Sequence, residues 1–236
     1  MANTQSIAVI GLGQFGYQLA TGLTQQGFDV LAIDSDEEVV NEIKDLVSQA
    51  VVLDSTDEKA MQAVNIDAVD KAIVAIGNNV ESSLLSTALL QRFHVNDLHV
   101  RIISPLQERI LRSMGIKELI SIEKEMGVQL AKSLSSKGIG RYVAISQRHS
   151  LIETAVPEKF VKKSLKDLSP RTQYGINIVG IKINEPTVQD DGEITYNLMM
   201  TDIPDPNYLL KKDDILVISG TDDNLNKFIQ FGSSEE

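Results

Sequence analysis

The chain has 236 residues, 42% of them apolar, and a formal net charge of -11. That length and apolar content suit one large domain or two modest ones with a real core. The acidic balance argues against broad phosphate-backbone binding, so nucleic acid is not an expected partner, and the lack of cysteine excludes disulfides and thiolate metal sites.

Along the first half, short β-branched runs recur at Ile7–Ile10, Val30–Ile33, Ala50–Leu53, Lys71–Ile76 and Leu98–Ile103, with a weaker one at Glu118–Ser121. They are continuous rather than alternating, which suits strands buried on both faces of a parallel sheet. Helices are expected between them. Ser35-Asp36-Glu37-Glu38 and Ser55-Thr56-Asp57-Glu58 have capping-box spacing, a hydroxyl followed three residues on by a carboxylate. Ser104-Pro105 places proline at a first helical position, and that helix presents Ile110, Leu111 and Met114 before stopping at Gly115. Strand–helix units repeated in this way predict a doubly wound parallel sheet over about residues 1–121.

A further amphipathic helix is expected over Glu123–Ser136, with Met126, Leu130 and Leu134 at four-residue spacing. Its periodicity alone favours packing on its own sheet over crossing to a second subunit. Lys137-Gly138-Ile139-Gly140 follows as a hinge. Beyond it, short strands are expected at Arg141–Ile145, Ser150–Thr154, Ile176–Lys182 and Ile215–Ser219, with turns at Asp190-Asp191-Gly192 and Pro204-Asp205-Pro206-Asn207, and a last helix at Asp223–Gln230. This half reads as a small α+β module.

No apolar run is long enough to span a membrane. The first residues, Met-Ala-Asn-Thr-Gln, show neither the charged end nor the apolar stretch of a signal peptide. The expected location is cytoplasmic.

Gly11, Gly13 and Gly16 form G-x-G-x-x-G after a buried strand and at the start of a helix. The first glycine allows the tight turn, the second lets backbone approach a phosphate, and the third lets helix and strand pack closely. The helix amino terminus then offers free N–H groups to an anion. Asp34 ends the next strand, where a carboxylate accepts hydrogen bonds from ribose hydroxyls and repels a 2′-phosphate. Two further strand ends, Leu53-Asp54-Ser55-Thr56 and Ala75-Ile76-Gly77-Asn78-Asn79, point to the same crevice. Asp54 can reach an adenosine or simply cap a helix, and Gly77 can leave room for phosphate or simply turn the chain. No P-loop occurs.

His94, His99 and His149 are the only histidines. None has a carboxylate neighbour in sequence that suggests acid–base work. A nucleotide crevice without chemistry beside it suggests a sensor, with a small NAD-dependent oxidoreductase as the alternative.

The stretches IAVIGLGQFG, VLAIDSDEE, VLDSTDE, AIVAIGNNVESS and SIEKEMGVQLAKSL together resemble the RCK (regulator of potassium conductance) family. The length is similar to its single-repeat KtrA-type cytosolic subunits rather than the doubled TrkA form. The resemblance implies a Rossmann-like doubly wound parallel sheet, a crossover helix that dimerises, and a small α+β carboxy-terminal domain (RCK-C or TrkA-C). The expected division is a nucleotide-binding domain over 1–137, including the crossover helix, and a carboxy-terminal domain over 141–232.

The resemblance further implies dimers assembled into an octameric ring. Such a ring binds ATP or ADP, or alternatively NAD(H), and gates a membrane potassium-transporter subunit of the KtrB/TrkH kind from the inner face of the cell membrane. It assigns Gly11, Gly13, Gln14, Phe15 and Gly16 to the phosphate loop, Asp34 with Ser35 to the ribose, Asp54 and Ser55 to the adenosine side, and Ile76 and Gly77 to the loop beside the phosphates. Arg101 matches a basic position on the fifth strand. Glu123 matches a glutamate that helps hold a divalent cation at the dimer interface.

One position departs from the family. Gln14 stands where ATP-responsive relatives have an arginine that meets the terminal phosphate, and a neutral amide loses that charge-assisted bond. In the second half, LSPRTQYGINIVGIK resembles a segment that binds cyclic di-AMP across a dimer interface. The implied ligand residues are Arg171, Ile176, Asn177 and Ile178. Read without the resemblance, the isoleucines are strand core and Arg171 is a solvated residue.

Overall fold

A computed structural model describes residues 5–135, 139–146, 148–188 and 194–233. Residues up to Lys124 pack as one unit and residues from Glu125 onward as another.

The first unit alternates strands and helices: β1 (Ser6–Ile10), α1 (Gln14–Gln25), β2 (Asp29–Asp34), α2 (Glu37–Ile43), β3 (Gln49–Val52), α3 (Glu58–Ala63), β4 (Lys71–Val74), α4 (Val80–Arg92), β5 (Asp97–Arg101), α5 (Pro105–Ser113) and β6 (Glu118–Ile120). The strands form one parallel sheet in the order β3-β2-β1-β4-β5-β6. Chain direction across the sheet reverses between β1 and β4, so a crevice opens at their carboxyl ends.

Both faces of the sheet are covered. Ala8, Ile10, Ile33 and Val74 pack on one side with Leu90 and Leu111 of the helices. Ile7, Val9, Val30, Ala32 and Ile73 pack on the other with Ala20 and Ile43. Neighbouring residues of a strand point to opposite faces, which is why β1 and β2 read as unbroken apolar runs.

Two expected caps are displaced. Asp36, not Ser35, caps α2 by accepting the Glu38 N–H at 2.9 Å. Asp57, not Ser55, caps α3 by accepting from Lys59 at 2.8 Å. The reason is local. Asp34 accepts the Asp36 N–H and Asp54 accepts the Thr56 N–H, so each strand end first closes an Asx turn and the helix starts later. Aspartate caps as well as serine does. At α5, Ser104 is the cap and Pro105 follows it, as expected.

The helix α6 (Ile122–Ser135) begins before the division between the units. Of its apolar residues, Met126, Val128, Leu130 and Leu134 are between 52% and 78% exposed.

The second unit contains β7 (Ile139–Ala144), β8 (His149–Ala155), the short helices α7 (Leu165–Leu168) and α8 (Pro170–Tyr174), β9 (Ile176–Val188), β10 (Ile194–Thr201), β11 (Ile215–Thr221) and α9 (Asp222–Ser233). Its antiparallel sheet runs β10-β9-β11-β8-β7. Phe160 and Phe228 are fully buried and stack with centroids 4.9 Å apart. Sequence periodicity missed β10 and the far half of β9. Leu198 and Met199 on β10 are both substantially exposed, so the strand lacks the inward–outward alternation that would reveal it. The turn at Asp190-Asp191-Gly192 and the Lys137-Gly138 part of the hinge lie outside the described residues.

Candidate functional site

The first unit carries a cleft of about 510 Å³ at the carboxyl ends of its strands. Of the residues singled out from sequence, Gly11, Gly13, Gln14, Asp34, Ser35, Asp54, Ser55, Ile76, Gly77 and Arg101 all line it. Phe15 and Gly16 are not among its lining residues.

The glycine loop is built by steric demand. Gly11 has φ +91°, and a side chain there would also meet Ile76 Cγ1 at 2.8 Å. A side chain at buried Gly16 would strike the Gly11 carbonyl oxygen. Nothing lies within 4 Å of the space a side chain at Gly13 would take, so the loop is open to an approaching anion. α1 begins immediately after, with no acidic residue in its first turn and no side-chain cap. Its amino-terminal N–H groups therefore face no competing carboxylate from that turn.

Asp34 accepts the Leu12 N–H at 2.5 Å and the Asp36 N–H at 3.0 Å. A carboxylate has about four lone-pair sites, so acceptor capacity remains for sugar hydroxyls. The Thr56 backbone and hydroxyl bonds, at 2.9 and 2.7 Å, hold the Asp54 carboxyl below its ordinary pKa. Ser55 points inward, its hydroxyl 2.7 Å from that of Ser86.

Arg101, the last residue of β5, brings a guanidinium to the cleft. Its tip occupies the space a side chain at Gly77 would need and lies 5.9 Å from the centroid of the Phe15 ring. Nη2 bonds Glu123 Oε1. Nε is buried without a hydrogen-bond partner among the described residues. The Arg101 bond holds the Glu123 carboxyl below its usual value. Glu123 thus faces a cation of the protein itself, and among the described residues no three His, Cys, Asp or Glu side chains gather to hold a metal.

Sequence reasoning missed Ser82, which lines the cleft, and the buried support behind it. Gln107 is 1% exposed, accepts the Ile103 N–H at 2.9 Å and donates to the Arg101 carbonyl at 3.2 Å. It therefore fixes the strand end from which Arg101 projects. A polar residue on a helix face that otherwise packs inward was the available signal.

The histidines lie away from the cleft lining. His94 follows α4 with φ +61°, and His149 opens β8. His99 corrects the expectation, because its Nε2 lies 3.0 Å from Asp97 Oδ1. Asp97 also pairs with Lys71 at 2.9 Å, and it starts β5 whereas Arg101 ends it. Residues of a strand at i and i+2 share a face, which brings the Asp97 and His99 side chains together.

In the second unit, Arg171 and Ile178 line a shallow depression of about 360 Å³ with Leu165, Pro170 and Pro204. Ile176 is fully buried in the core, which leaves it no ligand surface within this chain. Asn177 is exposed and does not line the depression. Strand alternation separates it from its two neighbours.

A parallel sheet in this order, with a glycine loop and an acid at successive strand ends, defines a Rossmann-like α/β domain joined to a small antiparallel-sheet domain. The TrkA-N domain family matches residues 7–122 and the TrkA-C domain family matches residues 151–231. The chain is 32% identical to Ktr system potassium uptake protein C of Bacillus subtilis (strain 168) over 224 residues, covering 95% of this chain and 96% of that protein. It is also 32% identical to Ktr system potassium uptake protein A of the same organism, covering 95% of each. Among solved structures, that of the GsuK RCK domain aligns with TM-score 0.61 at 16% identity, covering 100% of this chain and 49% of that one. The GsuK channel bound to NAD aligns with TM-score 0.60 at 14% identity, covering 99% of this chain and 40% of that one. The chain thus spans about half the length of the GsuK RCK-domain chain or less, and these two likenesses concern the fold alone. The chain belongs to the RCK family of Ktr- and Trk-type potassium uptake proteins.

Proposed function

We propose that this chain is a nucleotide-sensing regulatory subunit that gates a membrane potassium transporter of the Ktr or Trk type. The observation that carries it is the convergence of the glycine loop, Asp34 and Arg101 on one cleft, in a chain alignable along nearly its whole length with Ktr proteins. The loop offers N–H groups to phosphates, Asp34 accepts from the ribose, and Arg101 supplies a positive charge. Among the described residues no histidine lines the cleft, which favours binding without turnover. ATP or ADP is the ligand proposed. NAD(H) is the second candidate, supported by the NAD-bound channel of the same fold.

The exposed apolar face of α6 supports a dimer, with the nucleotide-binding domain and this helix extending over 1–137 and the carboxy-terminal domain over 141–232. Dimers then assemble into an octameric ring on the inner face of the membrane. The membrane component proposed is a separate subunit of the Ktr or Trk kind, and no helix among the described residues is long and apolar enough to cross a membrane. A divalent cation at Glu123 would take its other ligands from the nucleotide and a second copy. Cyclic di-AMP would bind at Arg171, Asn177 and Ile178.

Two measurements test the reading. Mass spectrometry of the purified protein should find a bound adenine nucleotide, and the protein should co-purify with a Ktr- or Trk-type membrane subunit. Reduction or oxidation of nicotinamide across a panel of hydroxy acids and aldehydes would overturn it in favour of an oxidoreductase.

A further inference from the structure

We infer that Arg101 is shared between two anions, and that a nucleotide's phosphates take it from Glu123. The inference rests on reading the cleft as an adenine nucleotide site. In this structure the guanidinium is a wall of that cleft, and its Nη2 is engaged by Glu123 on the first turn of α6. The Arg101 side chain is 18% exposed and that of Glu123 is 59% exposed. The arginine is thus confined while its partner reaches in from solvent. An exposed carboxylate contributes little to such a pair, so a phosphate of higher charge can displace it.

Three features of the cleft support the exchange. The guanidinium has donors to spare, since Nε is buried with no acceptor among the described residues, and an unsatisfied buried donor favours any ligand that satisfies it. Gly77 leaves the space the guanidinium tip fills, and the Phe15 ring centroid lies 5.9 Å from the guanidinium carbon, so the group is held beside the glycine loop. Gln14 is neutral, which leaves Arg101 the one arginine or lysine among the residues that line the cleft.

The consequence concerns α6. With the phosphates absent, Glu123 is tied to the end of β5 and the first turn of α6 is tied with it. With phosphates bound, Glu123 is released. Its carboxylate is then free to meet a cation or another group, and α6 loses one anchor to the nucleotide-binding sheet. Adenosine, which lacks phosphate, cannot cause the exchange.

The test is calorimetry of the full chain with ATP, ADP and adenosine in EDTA, so that no divalent cation bridges to Glu123. Glu123→Gln should tighten ATP and ADP by about two- to fivefold, the worth of a partly exposed ion pair, and leave adenosine unchanged. Arg101→Gln should weaken ATP and ADP by about tenfold or more. In the Arg101→Gln background, Glu123→Gln should have no further effect. Continued tightening in that background would mean simple repulsion between Glu123 and phosphate, and would overturn the exchange. Unchanged or weakened ATP binding by Glu123→Gln would also overturn it while leaving the nucleotide reading intact. Should Arg101→Gln fail to fold, Arg101→Met replaces it in the cycle, since it keeps the apolar stem and removes both the charge and the donors. If the unaltered protein binds none of the three ligands, the nucleotide reading and the exchange fall together.

Discussion

The Leu12 backbone N–H donates to Asp34 Oδ2 across 2.5 Å, so the acid at the end of β2 ties down the glycine loop that it faces across the cleft. The same side chain therefore has two duties. One oxygen preorganises the phosphate loop, and the carboxylate keeps acceptor capacity for a ribose. Asp34→Ala removes both, and should weaken ATP, ADP and NAD(H) binding by about tenfold to several hundredfold, since bonds to a charged acceptor contribute about 1.5–3 kcal/mol each. Asp34→Asn should fall between, because an amide oxygen still accepts from Leu12. Unchanged affinity by calorimetry for Asp34→Ala would place the nucleotide elsewhere.

Gln14 is the first residue of α1 and is exposed at the mouth of the cleft. Gln14→Arg adds a second cation to a site whose lining otherwise holds only Arg101. The new guanidinium should favour the ligand with the outermost phosphate, tightening ATP by about tenfold relative to ADP, the range of one charge-assisted bond. Equal gains for both nucleotides, read from paired titrations, would show that position 14 does not reach the terminal phosphate.

The first unit was legible in sequence because its central strands β1, β2 and β4 are buried on both faces. Ile7, Val9 and Val30 on one side, with Ala8, Ile10 and Ile33 on the other, leave no polar alternation to confuse the reading. The cleft was legible for a related reason: loops at the ends of such strands need glycine and aspartate for backbone geometry, and those residue types are visible. Arg101 came through resemblance alone, and its bond to Glu123 spans 22 positions, beyond any local pattern. Gln107 and the Ser55–Ser86 bond were hidden because a buried polar side chain looks like a surface one until its partners are known. In the second unit, β10 was missed because its Leu198, Met199 and Met200 are all exposed.

The α6 face makes a prediction about assembly. Leu130 and Leu134 are 58% and 78% exposed, one turn apart with Met126 one turn before, a stripe suited to pairing with a second amphipathic helix. Leu130→Glu should convert a dimer to a monomer at micromolar concentration in analytical ultracentrifugation. Because the side chain is not part of either core, the monomer should keep its far-ultraviolet circular dichroism. A dimer that survives both Leu130→Glu and Leu134→Glu pairs through another surface.

Arg171→Ala addresses the second unit. The arginine is exposed on α8 and shares its depression with Ile178. Loss of its charge should abolish cyclic di-AMP binding, while ATP affinity, which belongs to the first unit, stays within twofold. Ile176→Val should leave cyclic di-AMP binding intact, since that residue is sealed in the core. A strong effect of Ile176→Val on binding without loss of stability would mean that β9 rearranges to bind.

A partly buried polar knot ties α6 to the sheet of the second unit, and its charge makes stability depend on pH. Lys132 Nζ lies 2.5 Å from the Tyr142 hydroxyl and 3.3 Å from Asp222 Oδ2. Ser150 Oγ, fully buried, lies 2.5 Å from both the Tyr142 hydroxyl and Asp222 Oδ1. Burial alone would raise the Asp222 pKa, but the hydrogen bonds from Ser150, Lys132 and Tyr142 together outweigh it and hold the carboxyl below its ordinary 3.8. A carboxyl whose folded value is depressed contributes stability above its unfolded value and loses it as pH falls through the folded one. The bond to Tyr142, opposed by burial and aided by Asp222, holds Lys132 above 10.5, so its contribution is present below that value and is lost as pH rises through the folded one. Asp54, Asp97 and Glu123 are also depressed and add to the acid limb. Tyr208, buried against Asp214 and pushed up to about 12, adds to the alkaline limb. The knot is therefore isolated by difference. Thermal unfolding of Asp222→Asn should show a lower midpoint than the unaltered protein near neutral pH, with the gap closing below about pH 4. Ser150→Ala should cost about 1–3 kcal/mol at neutral pH, the range for a buried group left without its partner. If the gap for Asp222→Asn is the same at pH 3 and pH 7, the aspartate is not held as an anion by this knot.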